Sequence, residues 1–211
     1  TLLMQRARQG APHASLLLTE HQTQGRGRRG NAWHSPLGQG LAFSLLWRFD
    51  QAPPALSALS LVVGVAVARA LHPFAPALRL KWPNDLLLGP AKLGGILVEL
   101  RAEAAGPAHV VIGLGLNLRL DANARSEIAA TGNIAAALAD CGIDPRQRNA
   151  LIGCVLESMI QAVGQFAAQG FEPFRAAWAE ADALRGESVR ISGAGAERVG
   201  VAAGIDAHGA L

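Results

Sequence analysis

Two hydrophobic periods alternate along this chain, and each predicts a different kind of element. From Leu41 to Phe49 the residues Leu41, Phe43, Leu45, Trp47 and Phe49 share one face, with Ala42, Ser44, Leu46 and Arg48 on the other. That period of two is a strand with one strongly apolar side. From Arg146 to Ala168 the spacing changes: Ile152, Val155, Leu156, Met159, Ile160, Val163 and Phe166 recur at helical intervals, and Gly170 stops the run. This predicts a long amphipathic helix. Ala55–Leu71 is apolar around most of its circumference and reads as a buried helix, bounded by Pro53-Pro54 and Pro73. Shorter patterns predict a helix over Leu2–Gln9 ended by Gly10, and strands over Ser15–Glu20, Leu78–Trp82, Gly95–Leu100 and His109–Leu118. The last two are joined across Gly106-Pro107. Asp121–Thr131 reads as a polar loop grading into a helix, and a final helix covers Glu172–Ala183.

Beyond that helix the texture becomes short strands, Glu187–Ile191, Arg198–Ala203 and a start at Ala210, separated by Gly193, Gly195, Gly204 and Gly209. The pattern predicts an α+β main domain over residues 1–181, its strands in one sheet with helices on one face. A small all-β module follows over residues 182–211.

Composition narrows the function classes. Half of the 211 residues are apolar, enough for a sizeable core, and the formal charge is only +3. Aromatic residues do not interleave with basic ones, so an extended nucleic-acid surface is not indicated. No apolar run reaches the ~18 residues of a membrane span, and no signal-peptide pattern opens the sequence. Cys141 and Cys154 lack zinc or redox spacing and read as free, partly buried thiols in a reducing, cytoplasmic setting. Of 19 basic residues only Lys81 and Lys92 are lysine, which marks these two positions as places that need a compact ammonium.

Four segments carry candidate chemistry. Gly25-Arg26-Gly27-Arg28-Arg29-Gly30 combines close backbone approach with guanidinium forks, so it reads as an anion clamp, against a basic surface turn or a nucleic-acid patch. Lys81-Trp82-Pro83-Asn84-Asp85 can present a lysine, an amide and a carboxylate to one pocket, with Asp85 able to take Mg²⁺; the plainer reading is a strand end with an Asx turn. Lys92-Leu93-Gly94-Gly95 puts a lysine before two glycines that let a ligand lie across a strand, or simply forms a β-bulge with an exposed lysine. Gly113-Leu114-Gly115-Leu116-Asn117 lacks the third glycine and the later acidic residue of a dinucleotide fingerprint, and the chain has no P-loop, HExxH or GxSxG sequence.

Together and in this order, GRGRRG with Trp33, KWPND, KLGGILVE and GLGLN resemble biotin protein ligase over nearly the whole chain. The resemblance implies a class II synthetase-like catalytic domain with a mixed β-sheet, followed by a partial SH3-like module. It also implies an ATP-dependent ligase that makes biotinyl-5′-AMP and passes biotin to a lysine of a biotin carboxyl carrier protein, with Mg²⁺ on the nucleotide. It assigns Gln22, Gly25, Arg26, Gly27, Lys92, Gly94 and Gly95 to biotin, and Arg28, Arg29, Trp33, Asn84, Asp85 and Asn117 to ATP. Lys92 and Arg28 become the catalytic pair and Asp85 the metal ligand, while Lys81 matches by motif only. The arginine loop is expected to close over the intermediate. A homodimer is compatible, and a lipoate or octanoyl ligase of the same fold is the near alternative. The family's Asp-Ser-Thr-Asn stretch ahead of the first helix is not within the sequence, which starts at Thr1, and the terminal module is expected to be cut short at Leu211.

Overall fold

Short connections between successive strands decide the shape of the sheet. In the computed structural model, which describes residues 2–50, 56–102, 107–192 and 197–211, helix α1 (Leu2–Arg8) leads to β1 (Leu16–Thr19). The hairpin β2 (Gln22–Arg26) and β3 (Ala32–Ser35) follows, then β4 (Gly40–Phe49), α2 (Leu56–Leu71), β5 (Leu78–Lys81), β6 (Asp85–Leu88), β7 (Ala91–Ala102) and β8 (Ala108–Asn117). Helices α3 (Ala122–Ala130), α4 (Arg148–Gln169) and α5 (Glu172–Ala181) precede the hairpin β9 (Ser188–Ile191) and β10 (Arg198–Val201).

The main sheet has six strands in the order β1-β4-β8-β7-β6-β5. Every neighbouring pair is antiparallel, not the mixed arrangement expected. The cause is local: β5–β6, β6–β7 and β7–β8 are joined by connections too short to carry a parallel crossover. The parallel contacts are isolated bridges, Leu80 with Asp182 and Lys92 with Ala135.

One face of the sheet carries the main core. Leu41, Phe43, Leu45, Val110, Ile112, Leu114 and Leu116 pack there against α2, α4 and α5. The other face is not bare, as a one-sided layer would leave it. Leu3 and Ala7 of α1 cover Leu46 and Val111, so Leu46, which alternation puts on the polar face of β4, is fully buried. With its preceding turn, α4 (Pro145–Gln169) is long and apolar enough to cross a bilayer by length and composition alone. Here its apolar stripe, Leu151, Ile152, Val155, Met159, Val163 and Phe166, joins the common core instead.

The C-terminal segment docks beside β5: the Ala183 amide donates to Leu80 at 2.8 Å and the Trp82 indole donates to the Gly209 carbonyl at 3.0 Å. Ala210 is not in a strand. Pro53-Pro54, Ala55, Gly106, Gly193 and Gly195 lie outside the described residues. Cys141 and Cys154 are exposed rather than partly buried, because both fall on outward positions of their elements. Partial desolvation, then Asp140, pushes the Cys141 thiol up, the opposite of an activated thiolate.

Candidate active site

Strand register builds the floor of the site. Asp85, Gly95, Gly115 and Ala42 stand side by side across four strands, and in the next row on the same face come Leu97, Gly113 and Ser44. Small residues at these positions leave a trough on the face away from the main core. The β2–β3 hairpin and the start of α1 roof it into a cavity of about 430 Å³.

A bulge aims the lysine. On β7, Gly94 opposes Leu86, but Lys92 opposes Leu87, so Leu93 is the extra residue. Regular pairing would send Lys92 into the core. The bulge instead buries Leu93 completely and turns Lys92 onto the face of Asp85 and Gly95. The Lys92 Nζ reaches Asp85 Oδ1 at 2.6 Å and stands 5.9 Å from the centre of the Trp33 ring. The bulge expected as the plainer reading of this segment is present, and it is what brings the Lys92 ammonium to the cavity.

The backbone of Lys92 is fixed from the next segment. Its N–H donates to Ile134 at 2.8 Å, its carbonyl accepts from the Ala136 N–H at 2.9 Å, and Asn117 Nδ2 donates to that same carbonyl at 3.3 Å and to Ala136 at 2.9 Å. Asn117 is buried and does not reach the cavity. Its visible work is to hold the lysine strand. Asn117→Ala is expected to cost about 1–3 kcal/mol, because it leaves the buried Ala136 carbonyl without this donor and weakens the hold on that of Lys92. A lower urea midpoint at unchanged slope checks this.

The arginine loop is the tip of the β2–β3 hairpin, turned by Arg29 (φ 56) and Gly30 (φ 77). The Gly27 amide closes it by donating to Asn31 at 2.7 Å. Arg26, Gly27 and Arg28 line the cavity with Gln22 and Gly25. Arg29 does not line it; its guanidinium donates to the Ser192 carbonyl at 2.9 Å, tying the loop to the β9–β10 hairpin. Trp33 lies flat on the floor: a Cβ added to Gly115 would come within 2.8 Å of the indole. Asn84 also lines the cavity and donates to Ile96 at 2.8 Å.

Ten of the predicted positions therefore meet in one cavity: Gln22, Gly25, Arg26, Gly27, Arg28, Trp33, Asn84, Asp85, Lys92 and Gly95. Gly94, Arg29, Asn117 and Lys81 do not line it. Gly94 faces the core, where its missing Cβ makes room for the Gly115 carbonyl and the Leu116 side chain. Gln24, Asn31, Ser44, Glu99 and Gly113 line the cavity without having been picked out as site residues. Glycines at alternate positions, Gly113 and Gly115, were the available signal for a cleared sheet face.

Among the described residues no group of three His, Cys, Asp or Glu side chains could cage a metal. Asp85 alone fits a different kind of site, in which Mg²⁺ arrives on phosphates and takes one protein carboxylate. The lining sets two guanidiniums and one ammonium beside the Asp85 and Glu99 carboxylates, over a floor opened by Gly95, Gly113 and Gly115; cations above such a trough suit a ligand with an apolar body and anionic groups.

Comparison with known proteins points the same way. Residues 1–117 match the Biotin/lipoate A/B protein ligase family. The chain is 37% identical over 195 residues to the bifunctional ligase/repressor BirA of Escherichia coli, covering 92% of this chain and 60% of that protein. Against the biotin–[acetyl-CoA-carboxylase] ligase of Paracoccus denitrificans it is 33% identical over 216 residues, covering 96% of this chain and 85% of that one. The fold superposes on the biotin protein ligase of Aquifex aeolicus in complex with biotin and ATP with a TM-score of 0.76 at 27% identity, over 93% of this chain and 80% of that one. The chain thus spans about three fifths of the length of the BirA proteins it matches.

Proposed function

The chain belongs to the Biotin/lipoate A/B protein ligase family, and from that premise we propose that it is an ATP-dependent ligase that activates biotin as biotinyl-5′-AMP. It then transfers biotin to a lysine of a biotin carboxyl carrier protein. The observation that carries this reading is the bulge that puts Lys92 beside Asp85 on a glycine-lined floor, under Arg26 and Arg28.

The chemistry follows from the charges. A biotin carboxylate oxygen attacks the α-phosphorus of ATP; the new C–O–P link forms as the α–β phosphoanhydride bond breaks and pyrophosphate leaves. Two anions must be brought together, so positioning and neutralisation dominate the barrier. Without ligand, Lys92 is paired with Asp85. In the reacting complex it exchanges that partner for the biotin carboxylate and the α-phosphate. Arg26 faces biotin with Gln22, Gly25, Gly27 and Gly95, while Arg28 faces the phosphates with Asn84. Mg²⁺, if bound with the nucleotide, would supply further neutralisation, and Asp85 would be the residue to hold it through a carboxylate oxygen. Trp33 and the hairpin exclude water from the mixed anhydride. Asn117 serves ATP through its hold on the Lys92 backbone, and Arg29 through the tie to Ser192 that shapes the loop. In the second step the carrier's lysine amine attacks the acyl carbon and AMP leaves.

The β9–β10 hairpin with the segment to Leu211 is read as part of a small SH3-like module beginning near Asp182. Exposed reduced thiols suit a cytoplasmic protein. Calorimetric titration with biotin and with lipoate tests the acyl group: biotin is expected to saturate at concentrations where lipoate shows no heat. The reverse preference overturns biotin as the substrate.

A further inference from the structure

We propose a second anion site on the same sheet face, at the end opposite the catalytic cavity, built to hold an oligophosphate group. Two residues beyond Leu46 and Val111, the register sets Arg48, His109 and Arg101 side by side across β4, β8 and β7. Arg8 of α1 and His13 of the following turn close the row into a pocket of about 720 Å³, floored by Met4, Ala7, Ala11 and Leu46. Helix α1 separates the two sites: Leu2 and Leu3 line the catalytic cavity, while Met4, Ala7 and Arg8 line this one.

The charge of this pocket is one-sided. Its described lining holds three arginines, two histidines and no carboxylate. Among the described residues none of these arginine side chains has a hydrogen bond or ion pair, whereas Arg125, Arg146, Arg148, Arg175 and Arg190 all pair with acids. Glu103 lies outside the described residues. Gathering like charges in a concavity raises the local potential and favours an anion of matching charge.

Donor geometry narrows the class. The Arg48 amide donates to His13 Nδ1 at 3.2 Å, and that ring stacks edge-on against Trp47 with centroids 4.4 Å apart. With Nδ1 accepting, the ring proton sits on Nε2, so His13 enters the pocket as a donor. Guanidinium forks add donors and no acceptors. A partner that only accepts and carries several negative charges is an oligophosphate; a single carboxylate would use a fraction of this array. The volume admits either a free polyphosphate or the phosphate tail of a nucleotide.

Histidine NMR at constant ionic strength reads the site directly. Tripolyphosphate is expected to shift the His13 and His109 ring signals saturably, with Arg48→Gln/Arg101→Gln weakening binding at least about tenfold. The double variant is expected to keep the parent's biotin-dependent pyrophosphate exchange. ATP that binds here as tightly as tripolyphosphate identifies a nucleotide tail, and ATP that is excluded identifies free polyphosphate. Ring signals that tripolyphosphate leaves unmoved at constant ionic strength, or a double variant that titrates like the parent, overturn the site.

Discussion

Replacing Lys92 with alanine is expected to lower biotin-dependent ATP–pyrophosphate exchange by about 10²–10³-fold, the loss typical of a preorganised charge at the reacting centre. Two effects add. The substitution removes the ammonium that faces both substrate anions. It also leaves the Asp85 carboxylate, one quarter exposed and otherwise paired with Lys92, pointing into a cavity meant for negative charge. Asp85→Asn/Lys92→Ala is expected to exchange no faster than Lys92→Ala, because it also removes the carboxylate proposed to take Mg²⁺. Lys92→Arg is expected to stay impaired, since a planar fork cannot place one compact charge between two anions. The fold tolerates all of these: Lys92 is held by its backbone to Ile134 and Ala136, not by its side chain. Unchanged thermal unfolding of the variants checks that the loss is chemical.

The second large effect is on stability, and it separates two adjacent glycines. Gly94→Ala would put a methyl group 2.5 Å from the Gly115 carbonyl and 2.5 Å from Leu116 Cδ2, between central strands that cannot part. Overpacking of this kind costs about 1–3 kcal/mol or more, which in a domain of this size lowers Tm by about 2–12 °C. Gly95→Ala faces the cavity and meets the flexible end of Lys92 at 3.5 Å. It is expected to unfold near the parent temperature and to weaken biotin binding. Scanning calorimetry and a biotin titration on the pair would show the loss of stability in one and the loss of affinity in the other. Equal behaviour would mean that the two faces of β7 are wrongly assigned.

The strands and helices with clear periods were legible: β4, β8, α2 and α4 lie close to where alternation or helical spacing puts them. The sheet's hand of pairing was not, because register and direction depend on which strands meet. The short β6 was hidden for a related reason. Its Asp85 follows a proline and an asparagine that speak for a turn, and only pairing with β5 and β7 extends it. The second covered face escaped notice since Leu46 alternates as an outward residue until α1 lies over it.

The candidate site was legible as residue types and only partly as roles. The arginine loop reads as an anion clamp by itself, whereas the lysine and the Trp-Pro-Asn-Asp turn take on that meaning only in its company. Which glycine of the pair faces the cavity is decided by the register with β8, and the bulge at Leu93 brings Lys92 to the same face; both are features of paired strands rather than of one. Asn117 and Arg29 show the same limit. Their side chains suit a nucleotide, yet the fold spends them on Ala136, the Lys92 carbonyl and Ser192.

The central claim is that this cavity joins a carboxylate to the α-phosphate of ATP, with biotin as the acid. Exchange of labelled pyrophosphate into ATP measures that step alone, without a carrier protein. Exchange is expected only when biotin is added, not with lipoate, and to fall by about 10²–10³-fold in Lys92→Ala. Exchange indifferent to biotin, or undiminished in that variant, would contradict the claim.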